Sequence, residues 1–211
     1  MTRTLKLHDL APSPNSIKIR LALGYKKIPY ERIPVPAGSD RADLVRLSGQ
    51  PLTPVIEHGD TVLFDSGAIL RYLEANFLDT PRLYSERRDE MKKIEEWEHW
   101  AGHEPAKSVS SVFGQLRAPQ PSAEVLVKAR AMLHTAAERI EDTLATSDTL
   151  IPGRMTAADI IIASCVSLSL ITEKQLQAMP FLSFFVEHFR LEGHPRTRDW
   201  VGRLMAYDRP L

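Results

Sequence analysis

Residues 11–25 read APSPNSIKIRLALGY. Two prolines, two serines and an asparagine crowd into its first six positions, and an apolar run follows at once. Such a cluster is the chemistry of a helix start. Ser and Asn oxygens accept from the first free N–H groups, and Pro suits the first helical position because its missing N–H would have had no partner there. Within the run, Ile17 with Leu21 and Ile19 with Leu23 stand at i,i+4, and Gly24 is placed to end the helix. The preceding segment, Thr4–Leu10, is short and alternates apolar with polar residues, which predicts a strand. The stretch therefore joins the carboxyl end of a strand to the start of a helix, the place where ligands bind in open α/β sheets.

Working outward, Tyr30–Val35 reads as a second strand, a Pro/Gly/Ser loop follows, and a short helix is expected around Arg41–Leu47. Two further strands, Thr53–Glu57 and Val62–Phe64, are joined by His58-Gly59-Asp60-Thr61 as a hairpin. Ile69, Tyr72, Leu73 and Phe77 then form a helical stripe. The order β-α-β-α-β-β-α predicts a mixed sheet layered with helices. Asp79-Thr80-Pro81 breaks the pattern, and nothing after Glu86 reads as strand. Glu86–Gln115 is expected as one long helix kinked at Pro105, with Val125–Leu144 as its antiparallel partner. Thr156-Ala-Ala-Asp159 is a capping box with Met155 and Ile160 as its hydrophobic staple, and Arg196–Tyr207 is a late amphipathic helix. The expectation is an α/β domain over residues 1–80 and an all-helical domain over residues 86–211.

Composition narrows the function classes. With 27 Lys+Arg against 27 Asp+Glu, the chain has no electrostatic footprint for nucleic acid or an anionic membrane. Its first ten residues carry no apolar run, so no secretory signal is expected, and Ala157–Leu170 is too short and too interrupted to span a bilayer. The single cysteine, Cys165, rules out an intrachain disulfide and a CxxC redox motif, and its apolar setting reads as a buried structural thiol. A cytoplasmic setting is expected. His99 and His103 share a helix face at i,i+4, but no third ligand accompanies them, so no metal is expected.

Three loop-to-helix or loop-to-strand junctions carry the candidate chemistry. At Ser13-Pro14-Asn15-Ser16 the positive end of a helix and its hydroxyls favour an anion such as a thiolate, although plain capping explains the same residues. At Thr53-Pro54 an X-Pro bond precedes a strand, where a cis form aims a backbone N–H and C=O at a ligand. At Asp65-Ser66 another helix begins, and the pair suits a ligand with both an ammonium and a carboxylate. Ser66 and the helix N–H groups take the carboxylate, and Asp65 takes the ammonium.

Taken in order, SPNSIKIRLAL (13–23), QPLTPV (50–55), LFDSGAILRYL (63–73), RMTAADIIIA (154–163) and HPRTRDWVGRLMAYDRP (194–210) resemble the cytosolic glutathione transferases over essentially the whole chain. The resemblance is to a bacterial, serine-type subgroup with an SGNS-like motif at the first helix and a HEP triplet, here His103-Glu104-Pro105. It implies a thioredoxin-like first domain, a helical second domain, a homodimer, glutathione as co-substrate, and attack of its thiolate on a hydrophobic electrophile. Ser13 matches the catalytic serine, with Asn15 and Ser16 as rivals. Thr53 and Pro54 match the residues flanking the cis bond beside the cysteinyl moiety, and Asp65 and Ser66 match the γ-glutamyl grip. Leu10, Trp100 and Glu104 are the implied electrophile-site residues. Pro51-Leu52 departs from the family, offering no polar side chain for the glycyl end, where Arg41 and Arg46 are the candidates to compensate. That departure also sustains an alternative, a non-catalytic or weakly active glutathione transferase-like binding or scaffold protein.

Overall fold

The computed structural model describes residues 4–208. Residues 1–3 and 209–211, the outer ends of the two expected domains, lie outside the described residues. The chain divides into two compact units, residues 86–205 and, among the described residues, 4–85 with 206–208.

The first unit is built around strand β1 (Leu5–Asp9), whose Leu5, Leu7 and Asp9 are buried in strict alternation. Helix α1 (Pro14–Tyr25) crosses over to β2 (Tyr30–Pro34), which pairs parallel with β1 from Leu5↔Tyr30 to Asp9↔Pro34. The short helix α2 (Ala42–Ser48) leads to β3 (Val55–His58), antiparallel to β1, and a tight turn leads to β4 (Thr61–Leu63) at the edge. The sheet order is β2-β1-β3-β4, and α3 (Ser66–Asn76) follows it and packs against α1. This is a thioredoxin-like arrangement with a four-stranded mixed sheet. Lys26 and Glu74 are buried together behind it, Nζ to Oε2 3.0 Å. Arg82 Nε and the Leu83 N–H also donate to the Glu74 carboxylate. Burial alone would raise the Glu74 pKa, yet the Leu83 N–H and the Lys26 and Arg82 cations hold it below the usual carboxylate range.

The chain's tail returns to this unit. Arg20 of α1 donates from Nε and Nη2 to the two oxygens of Asp208, at 2.6 and 2.9 Å, and from Nη1 to Asp9 at 2.5 Å. Arg32 Nε donates to the other Asp9 oxygen at 2.8 Å. Burial works against the guanidinium charge of Arg20, but Asp208 and Asp9 hold it charged, with its pKa raised. Gly24 is required by the same approach: a Cβ there would stand 1.9 Å from the Tyr207 carbonyl oxygen.

The second unit is helical: α4 (Arg88–His103), α5 (Pro105–Leu116), α6 (Ala123–Leu144), α7 (Ala157–Val166), α8 (Glu173–Ala178), α9 (Ser183–His188) and α10 (Pro195–Met205). The expected kink at Pro105 is instead a full break. Pro105 has no N–H for the Ala101 carbonyl and its ring collides with that group, so α5 restarts with Glu104 as its N-cap. Helix α7 is buried on nearly every side, with Cys165 inside it, which accounts for its continuous apolar sequence. Its capping box is formed, and both staple residues, Met155 and Ile160, are buried. No helix of the described residues is long and apolar enough to cross a membrane. Helices α8 and α9 escape a periodicity reading because each has only six residues, although the Thr172–Gln175 capping box was a usable signal for α8.

Candidate functional site

Strand β1 ends at Asp9, and the four residues after it turn the chain into α1. The Ser13 N–H donates to the Leu10 carbonyl at 2.9 Å, and the Ala11–Pro12 bond is cis, a feature the sequence reading missed. Ser16 closes this turn from inside: it is fully buried and its Oγ accepts from the Leu10 N–H at 3.2 Å. Ser13 occupies the N-cap of α1 with φ −54° and ψ 127°, and Pro14 stands at the first helical position. A capping serine normally turns its oxygen back onto the helix N–H groups. Ser13 makes no such side-chain bond, so plain capping does not account for its hydroxyl.

The Thr53–Pro54 bond is cis, and Thr53 lies just outside the ladder, whose last β1–β3 pair is His8↔Val55. The loop before it is fastened by Gln50, whose Oε1 accepts from the Leu52 N–H at 2.6 Å and whose Nε2 donates to the Leu52 carbonyl at 3.0 Å. The Leu52 side chain is left 72% exposed, so the loop presents apolar surface where a polar side chain is usual for the resembled family. Of the two arginines considered for compensation, Arg46 is paired with Asp43. Arg41 donates from Nη2 to the Pro36 carbonyl, while its Nη1 is buried with no hydrogen-bond partner among the described residues. Burial of this kind is invisible in a sequence.

At the start of α3 it is Asp65, not Ser66, that caps: its Oδ1 accepts from the Ala68 N–H at 2.8 Å. Gly67 makes room for this, because a Cβ there would sit 3.1 Å from the same oxygen. Ser66 faces α1 instead, where its hydroxyl meets the Lys18 ammonium at 3.0 Å and Asn15 Oδ1 at 3.4 Å. The structure thus brings Asn15 and Ser66 together and adds Lys18 to them. The signal for Lys18 was the i,i+3 spacing from Asn15 on one helix face.

Leu10 is half-buried in the first unit. Trp100 and Glu104 belong to the second. Trp100 is 9% exposed, set edge-on to Trp97 at 5.1 Å between centroids and under the Arg139 guanidinium at 4.5 Å. Glu104 is half-buried at the break between α4 and α5. The His99 and His103 rings touch at 4.5 Å, and no cluster of three or more metal-ligating side chains exists among the described residues.

Comparison with known proteins bears on this geometry. Residues 7–81 match the family model described as the N-terminal domain of glutathione S-transferase. Glutathione S-transferase 3 of Zea mays is 26% identical over 163 residues, 74% of this chain and 73% of that one. A maleylpyruvate isomerase of a Ralstonia species is 31% identical over 93 residues, and the alignment spans 43% of each chain. Among solved structures, a glutathione S-transferase of Rhodospirillum rubrum F11 superposes with a TM-score of 0.81 at 20% identity, covering 98% of this chain and 91% of that one. The last likeness shows the fold; the family model and the sequence relatives support the glutathione transferase family.

Proposed function

We propose that the chain is a serine-type glutathione transferase, which holds glutathione as a thiolate and directs it at a hydrophobic electrophile. The observation that carries the reading is the Ser13 hydroxyl, placed at the positive end of α1 yet making no cap bond of its own. Of its rivals, Ser16 is fully buried behind the turn, out of reach of a ligand, and Asn15 is turned toward Lys18 and Ser66.

Glutathione supplies the sulfur nucleophile; what this chain contributes is a setting that favours its ionised form. A free thiol ionises near about pH 8.5. Lowering that by two units needs about 2.7 kcal/mol in favour of the anion. A hydroxyl donating to a charged acceptor provides about 1.5–3 kcal/mol, and the helix start roughly 0.3–1 more. Ser13 therefore suffices as a hydrogen-bond donor without losing its own proton. The Thr53 backbone beside cis-Pro54 is proposed to hold the cysteinyl moiety, and Asp65 and Ser66 the γ-glutamyl end. Of the two candidate arginines Arg46 is already paired with Asp43, so we assign Arg41 to the glycyl carboxylate. A homodimer in the cytoplasm completes the reading by resemblance.

The test is an ultraviolet titration of the bound thiol in wild type and Ser13→Ala. The wild type should ionise about two units below the free thiol, and the variant should move back up by about one to two units. An unchanged titration in Ser13→Ala removes Ser13 from the role, and no binding at all leaves the scaffold reading. Arg41→Ala should raise KM for glutathione roughly 10-fold or more with kcat nearly unchanged, because the glycyl end is remote from the sulfur. An unaltered KM would reassign the glycyl contact.

A second reading, isomerisation instead of conjugation, is favoured by the maleylpyruvate isomerase alignment. The two separate cleanly in product analysis, since conjugation consumes glutathione and isomerisation regenerates it.

A further inference from the structure

Two histidines 60 positions apart in sequence meet where the last helix of the second unit begins. His134 lies within α6, and its Nδ1 stands 3.3 Å from Nε2 of His194, with the ring centroids 5.3 Å apart. That separation is longer than ordinary protein N–H hydrogen bonds, about 2.7–3.2 Å. His194 immediately precedes α10, and its carbonyl accepts from the Arg198 N–H at 3.1 Å. Its φ is 50°, a left-handed backbone that suits glycine or asparagine better, and helix starts favour Ser, Thr, Asp or Asn. Neither the turn nor the helix start calls for an imidazole there. The same junction is fixed independently, because the Thr197 N–H donates to Glu141 of α6 at 2.8 Å. Arg130 and Glu192 act on His134 with opposite signs and are paired with each other at 3.1 Å.

We propose that His134 and His194 form a zinc site that clips the start of α10 to α6. Nitrogen donors at about 2.0–2.1 Å from one tetrahedral zinc stand about 3.3–3.4 Å from each other, which matches the observed separation. The right angle of a square-planar copper(II) site would bring them to about 2.8–3.0 Å. The Arg190 backbone bonds the His134 ring as well, as outer partners of ligating imidazoles do. Arg130, the cation acting on His134, is neutralised by Glu192 and does not repel the ion. Zinc takes the place of the one proton that the facing nitrogens share, and that proton moves to the far nitrogen of its own ring. No cluster of three metal-ligating side chains exists among the described residues, so solvent fills the remaining positions and the ion is exchangeable. The site lies wholly within the second unit and does not depend on glutathione.

The experiment is calorimetric titration of zinc chloride into the untagged full chain at neutral pH, with thermal unfolding followed in parallel. Wild type is compared with His134→Gln, His194→Asn and His99→Gln. Asparagine tolerates the left-handed backbone at position 194, so that variant keeps the turn and loses only the imidazole. Wild type should bind a single ion per chain, and its thermal midpoint should rise with zinc concentration. His134→Gln and His194→Asn should each weaken binding by at least the roughly 10- to 100-fold that loss of an outer partner costs, and lose the midpoint rise. His99→Gln should bind as wild type does. In wild type, zinc should also shift the nitrogen resonances of His134 Nδ1 and His194 Nε2, a readout that needs no variant to fold. Absence of zinc binding by wild type, or undiminished binding in either His134→Gln or His194→Asn, overturns the site. So does a loss in His99→Gln, which would place the ion on α4.

Discussion

Replacing Glu74 by glutamine should destabilise the first unit by about 3–5 kcal/mol, the usual cost of removing one partner from a buried ion pair. Lys26 is 1% exposed, so its ammonium cannot recover water when the carboxylate is gone. Arg82 Nε and the N–H groups of Leu83 and Tyr84 lose part of the same acceptor. Urea unfolding followed by fluorescence would show the midpoint fall, and a loss below about 1 kcal/mol would sink the argument. A Lys26→Met, Glu74→Gln double variant should be less damaged than the sum of its singles, since the stranded charge is then absent. The pH dependence has a definite sign. The folded-state pKa of Glu74 is depressed, so its stabilisation is present above the ordinary carboxylate range and is lost as pH falls through the folded value. Wild type should lose stability on acidification more steeply than Glu74→Gln.

A comparable loss, about 3–5 kcal/mol, is expected in the second unit for Asp159→Ala. Asp159 is fully buried and anchors three places at once. One oxygen accepts from the Leu150 N–H at 2.9 Å and from Trp200 Nε1 at 3.2 Å. The other accepts from the Thr156 N–H at 2.9 Å and the Thr156 hydroxyl at 3.1 Å. Burial outweighs those donors and raises the pKa of this carboxyl above its ordinary value. Alanine leaves each donor without a partner in the interior, each at about 1–3 kcal/mol where it is not recovered by water or relaxation. Asparagine keeps one oxygen and should recover about half. A thermal midpoint in Asp159→Ala within a degree or two of wild type would refute the anchoring role.

What the sequence made legible was periodic or tied to local turn chemistry. The stripe of Ile69, Tyr72 and Leu73 marked α3, the Thr156–Asp159 box marked α7, and the strand and helix order through residue 76 matches the observed sheet. At the candidate site, the resemblance assigned a cis bond to Pro54 and the structure has it. What stayed hidden depends on distant or buried partners. That Asp65 caps and Ser66 reaches across to Lys18 is decided by the packing of α1 on α3. The partnerless nitrogen of Arg41 is a matter of burial alone. Two six-residue helices are too short to show a period.

The bidentate clasp of Arg20 by Asp208 bears on how such proteins can be recombined. A cut between residues 85 and 86 separates two compact bodies of the fold but leaves the earlier one without its final piece. Arg20 would keep only Asp9, which it already shares with Arg32. A chimera that exchanges the amino-terminal half for a relative's must therefore carry the matching tail residues with it. The smallest exchangeable module of this chain is discontinuous in sequence.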